Sequence, residues 1–144
     1  KNKYNNFNFY FIIGSFSKFN FQKYKKKNIK ILESLDQKIF YNFLSRVKYI
    51  ICSGGTTLLE SVVLNVYPFV VKTSENQKNN IFSLKKKNMI SYIGNINFKI
   101  KDLTQKLDKK IFSSKEDINS NKKYFQREHK SNMLIEKIYQ CLKI

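Results

Sequence analysis

The residues YIICSGGTTLLESVVLNVYPFVV, from Tyr49 to Val71, decide the fold. Tyr49-Ile50-Ile51-Cys52 is a short apolar run with the character of a buried strand. It passes straight into Ser53-Gly54-Gly55-Thr56-Thr57, and an apolar stripe at helical spacing follows: Leu58, Leu59, Val62, Val63 and Val66. Thr57-Leu58-Leu59-Glu60 has the S/T-x-x-E form of a capping box, which predicts that the helix opens there. Pro68 then opens another strand, Phe69-Val70-Val71, at a position where a missing N–H is tolerated. Strand, glycine turn, helix and strand in this order make a βαβ unit, which requires a parallel sheet.

The same alternation extends in both directions. Upstream, Phe7–Ile13 is an aromatic and β-branched run ended by Gly14, predicted to be a strand buried on both faces. The lysine-rich segment 15–28 is a loop or contains a short helix. Ile29–Leu32 is a second strand, and Gln37–Val47 places Ile39, Phe40, Phe43, Leu44 and Val47 at helical spacing, with Asp36 as its cap. Downstream, Ser74-Glu75-Asn76-Gln77 repeats the capping logic with Gln77 at the third helical position, leading a helix with Ile81, Phe82 and Leu84 to about Lys87. Met89–Ile93 is a fifth strand ended by Gly94. A helix over Asp102–Ile111, a polar stretch and a last helix over 125–142 complete the chain. The expected architecture is α/β, a Rossmann-like parallel sheet flanked by helices, in a single domain over 1–144. On this reading all four glycines, Gly14, Gly54, Gly55 and Gly94, lie just past the carboxyl end of a strand, the edge where open parallel sheets bind ligands.

Composition excludes several classes. The 144 residues suffice for one domain with its own core, and 42% hydrophobic and 15% aromatic content argues against a disordered chain. The longest apolar runs, Phe9–Ile13 and Val66–Val71, are far too short to span a membrane. No secretory signal precedes them, so a cytoplasmic location is expected. Cys52 and Cys141 stand apart with no CxxC or Cys/His spacing, so buried free thiols are expected rather than a disulfide or zinc site. No metal or other cofactor is expected. The net charge of +18 suggests a polyanionic partner. All but two of the 28 basic residues, Arg46 and Arg127, are lysine, however, and the abundant Lys, Asn, Ile, Phe and Tyr share A/T-rich codons. The lysine clusters Lys25–Lys27, Lys85–Lys87, Lys109-Lys110 and Lys122-Lys123 spread along the whole chain, and no nucleic-acid-binding signature accompanies them. A nucleic-acid-binding module is therefore the lesser alternative.

Gly54-Gly55 between a strand and a helix N-terminus leaves N–H groups that, with the helix dipole, suit an anion such as phosphate. A turn that merely reverses the chain into a packed helix has the same sequence, and the motif is neither a Walker loop nor a dinucleotide fingerprint. Glu60 and Gln77 each have a plain reading as capping-box residues.

The pieces SGGTTLLESVVLNVYPFVV, ENQKNN and LKKKNMISYIG together resemble the C-terminal half of GT-B nucleotide-sugar enzymes, the C-terminal domain of glycosyltransferase family 28. The resemblance is nearest to the UDP-sugar hydrolases of pseudaminic acid synthesis. It is looser to the UDP-N-acetylglucosamine transferases of peptidoglycan synthesis and the catalytic subunits of the dolichol-pathway transferase. It runs from Phe9–Ser15 through Ile29–Ser53 to Gly94, and nothing beyond about Lys101 takes part. It implies that Gly54, Gly55, Thr56 and Thr57 hold a diphosphate with Gly14 and Ser15 bordering the cleft, that Glu60 accepts the ribose hydroxyls, and that Leu35 lies by the uracil. Glu75, Asn76 and Gln77 would face the sugar. It further implies a UDP-sugar as ligand and an N-terminal GT-B half as partner, fused or separate, because the catalytic base of such hydrolases is a histidine of that other half. The sole histidine here, His129, lies in the expected last helix and is read as a surface residue. The absence of an initiator Met at Lys1 fits a fragment of a longer protein. An inactive half-domain that serves as a binding subunit is the remaining alternative.

Overall fold

A computed structural model describes residues 4–14 and 21–113. The fold is α/β, with two parallel sheets flanked by helices, consistent with a Rossmann-like fold. The chain divides into two compact units, Lys1–Phe40 and Tyr41–Ile144.

In the first unit β1 (Phe9–Ile13) pairs in parallel with β2 (Ile29–Glu33), Phe9 opposite Ile29 and Ile13 opposite Glu33. The connection contains a 3₁₀ turn at Gln22–Tyr24. Contrary to the expectation of a strand buried on both faces, Phe9, Tyr10, Phe11 and Ile12 all keep more than a third of their surface exposed. An aromatic, β-branched run specifies extended backbone; what covers it depends on residues far away in sequence. Asp36 caps helix α1 (Gln37–Leu44) as expected, its Oδ1 accepting the N–H of Ile39 at 2.8 Å. The helix ends at Leu44, earlier than the periodicity predicts, and Val47 lies outside it.

The second unit holds a three-stranded parallel sheet in the order β3-β4-β5, with β3 at Tyr49–Ser53, β4 at Tyr67–Lys72 and β5 at Ser91–Asn95. β4 is central and buried along Tyr67–Val71. One face carries Tyr67, Phe69 and Val71, which cluster with Ile93 and with Leu103 of α4 (Ile100–Asp108). The two-residue alternation turns Pro68 and Val70 to the other face, where both are fully buried. Tyr67, not Pro68, begins β4. Its N–H bonds to Lys48 on the β3 side, so alternation directs the missing N–H of Pro68 toward β5, and that ladder starts only at Phe69. β3 is an edge strand of this sheet and only partly buried, Ile51 being 53% exposed, which corrects the buried strand expected there.

Four further elements depart from their predicted positions. Helix α2 spans Thr56–Val63 with Gly55 as its N-cap and no side-chain cap, so Thr57 and Glu60 do not form a capping box. Helix α3 (Lys78–Lys86) follows a 3₁₀ turn at Glu75–Gln77 and places Gln77 at its N-cap; Ile81 and Leu84 are buried, but Phe82 is exposed. Gly94 lies within β5 instead of beyond it. The ladder to β4 shifts register between Val70 and Val71, and Gly94 has φ +153°, a conformation strained for any side chain. Gly94 therefore does not mark the carboxyl edge of a strand, contrary to expectation. Met89 and Ile90 are buried but precede the strand. α4 begins at Ile100 and continues into a π-helical turn at Lys109–Ser113. The predicted helix over 125–142, with His129 and Cys141, lies outside the described residues, as does Ser15. Among the described residues no helix is long and apolar enough to cross a membrane.

Candidate functional site

The carboxyl edge of the three-stranded sheet gathers the turn after β3 (Gly54, Gly55), the first turn of α2 (Thr56, Thr57) and the loop after β4 (Thr73–Gln77). Parallel strands with their helices on return connections bring these segments to one edge.

The two glycines of the turn differ in kind. Gly54 is buried, and a Cβ there would lie 2.6 Å from Cδ1 and 2.7 Å from Cγ1 of Ile81. Its N–H donates to Oε1 of Gln77 at 3.3 Å, and its carbonyl accepts from Nδ2 of Asn80 at 3.5 Å. Gly54 is thus the point where the β3 turn docks on α3. Gly55 is open: its nearest neighbour to a built Cβ is Ser53 Oγ at 3.8 Å. It caps α2 without any side-chain hydrogen bond, and helix geometry leaves the N–H groups of Thr56 and Thr57 without intrahelical acceptors. Thr56 is exposed and Thr57 half-buried. The open, anion-compatible part of the turn is therefore Gly55-Thr56-Thr57 rather than Gly54.

Glu60 lies one turn further along α2 in an otherwise apolar stretch and is only 7% exposed. A buried carboxylate requires a hydrogen-bonding partner, and here Tyr41, fully buried on α1, donates its hydroxyl to Oε1 at 2.7 Å. Among the described residues Oε2 has no hydrogen-bond partner. Sequence spacing did not single out Tyr41; an acid embedded among Leu58, Leu59, Val62 and Val63 is the signal that such a partner exists.

In the loop after β4, Glu75 is exposed and pairs with Lys72. The hydrogen bond and charge of that ammonium hold the Glu75 carboxyl below its ordinary value. Asn76 Oδ1 accepts from Ser74 Oγ at 2.7 Å. Gln77 turns inward along the chain: Oε1 accepts the Thr73 N–H at 3.0 Å as well as that of Gly54, and Nε2 donates to Thr73 Oγ1 at 2.9 Å. Its amide thus braces the two loops of the edge to each other. Lys72, Thr73 and Asn80 also belong to this edge and were not anticipated. Gly14 and Leu35 belong to the first unit: Gly14 follows β1 with open space around it, and Leu35 is half-buried before α1.

Cys52, in β3, is a free thiol that burial pushes up to about 12. Among the described residues no three His, Cys, Asp or Glu side chains cluster as metal ligands would. No protein-family profile, curated protein or solved structure matches this chain.

Proposed function

We propose that this chain is the UDP-sugar-binding domain of a nucleotide-sugar hydrolase or glycosyltransferase of cell-surface glycan synthesis, working with an N-terminal GT-B half that is fused or separate. The observation that carries the reading is the pairing, on one short helix, of an uncapped and sterically open N-terminus at Gly55 with a buried carboxylate at Glu60. A diphosphate needs N–H donors and the positive end of a dipole, whereas a ribose diol needs a fixed acceptor. Gly55, Thr56 and Thr57 supply the first, and Glu60 supplies the second. Glu60 lies five residue steps beyond Gly55, about 7.5 Å of helical rise, so the two groups would engage different parts of one nucleotide. Glu75 and Asn76, exposed on the neighbouring loop, would meet the sugar. Gln77 contributes by fixing the shape of that loop.

Titration calorimetry of the chain with UDP and with uridine tests the assignment. UDP is expected to bind more tightly, Gly55→Val to weaken UDP by obstructing the turn, and Glu60→Gln to weaken both ligands about tenfold or more, the worth of a charged hydrogen bond. Equal affinities for UDP and uridine refute the diphosphate site.

A further inference from the structure

We propose that Tyr41 is the positioning residue for ribose recognition, an inference that rests on the reading of Glu60 as the diol acceptor. A glutamate side chain has three rotatable bonds, and a carboxylate that recognises two adjacent hydroxyls must be held in one orientation before the ligand arrives. Tyr41 does this from a different helix. It is 0% exposed, enclosed by packing, and its hydroxyl donates to Oε1 of Glu60 at 2.7 Å. The two residues are 19 positions apart in sequence and belong to the same compact unit. The division of labour between the oxygens is chemical. Tyr41 has one proton to donate and occupies Oε1, while Oε2 has no partner among the described residues and remains an acceptor for hydroxyl donors. The same bond supplies the buried side chain with the hydrogen-bonding partner that its burial requires. Tyr41 touches neither ligand nor reacting atoms on this reading and acts through Glu60.

The readout that separates positioning from stability is the preference for ribose over deoxyribose. In the full chain, the affinity for UDP is expected to exceed that for 2′-deoxy-UDP by about tenfold, the worth of a charged hydrogen bond. In Tyr41→Phe that ratio is expected to fall toward one. A second measurement does not depend on the stability of that variant. With 3-fluorotyrosine incorporated at Tyr41, the fluorine resonance is expected to move on saturation with UDP and to move less with 2′-deoxy-UDP. If the unaltered chain prefers UDP and Tyr41→Phe keeps the full preference, the positioning role is overturned while the ribose site stands. If the fluorine resonance responds equally to both nucleotides, the positioning role is likewise overturned. If the unaltered chain binds both nucleotides equally, Glu60 does not read the ribose, and both assignments fall together.

Discussion

The side-chain carbonyl of Gln77 accepts the backbone N–H of Gly54 across 3.3 Å, joining the turn after β3 to the loop after β4. The same oxygen takes the N–H of Thr73 at 3.0 Å. One amide therefore satisfies a donor from each of two loops that parallel strands leave unpaired at the sheet's carboxyl edge. It also divides the glycine pair, Gly54 being committed to internal packing and Gly55 left accessible.

That division predicts opposite outcomes for the same substitution at adjacent positions. Gly54→Ala drives a methyl into Ile81 and is expected to cost about 1–3 kcal/mol of stability, with partial recovery in Gly54→Ala combined with Ile81→Val, which removes the nearest atom. Gly55→Ala, at φ −87° with no close neighbour, is expected to leave the melting temperature nearly unchanged and to weaken UDP binding. Thermal melts and calorimetry on the variants check both. A Gly54→Ala chain as stable as the parent overturns the packing role.

Gln77 offers a second dissection. Gln77→Ala removes the shared acceptor and is expected to cost about 0.5–1.5 kcal/mol per hydrogen bond lost, with faster amide exchange at Gly54 and Thr73. Gln77→Glu keeps an acceptor for both N–H groups, so those amides are expected to stay protected, but it adds a negative charge beside the turn and should weaken UDP more than uridine. Hydrogen exchange read residue by residue, with parallel titrations, tests this pair. Unchanged UDP affinity in Gln77→Glu would place the phosphates elsewhere.

Cys52 should be inert in the native chain. Burial raises its thiol from 9.0 to about 12, so at pH 8 the reactive thiolate is scarce, and labelling by an aromatic disulfide is expected to be slower than in the unfolded chain by on the order of a hundredfold. Cys141→Ser isolates the signal. The linkage has a definite sign: the folded state retains a proton that the unfolded chain loses above pH 9, so stability is complete below pH 9 and declines as pH rises from there toward 12. Native labelling as fast as unfolded labelling contradicts the burial.

The chain alone is expected to release no UDP or sugar phosphate from a panel of UDP-N-acetyl sugars, and to bind UDP equally with Mg²⁺ or EDTA. Hydrolysis and transfer both require a general base within reach of the attacking oxygen. Glu60 receives the Tyr41 hydroxyl, Glu75 is paired with Lys72, and Asp36 caps α1. Turnover by the isolated chain that Glu75→Ala abolishes would make Glu75 the base and overturn this prediction.

Local pattern determined the α/β class, the parallel sense of the strands, the position of the Gly54-Gly55 turn and the Asp36 cap. Each follows from residues within a few positions of one another: apolar period, glycine punctuation, and the reach of a short side chain to a nearby N–H. Tertiary structure decided the rest. Thr57 and Glu60 have the spacing of a capping box, yet α2 begins two residues earlier than that box requires, at Thr56 with Gly55 as its N-cap, and Glu60 turns to a tyrosine on another helix. Gln77 likewise has the spacing of a cap, but its amide serves donors from two loops. Gly94 looks like a strand terminator, yet it sits inside β5 where the ladder to β4 slips. A polar side chain carries the same donors and acceptors whichever partner it meets, so local spacing names the chemistry it can perform. Only the packing of helices and strands distant in sequence selects the partner, because burial makes an unsatisfied alternative too costly to persist.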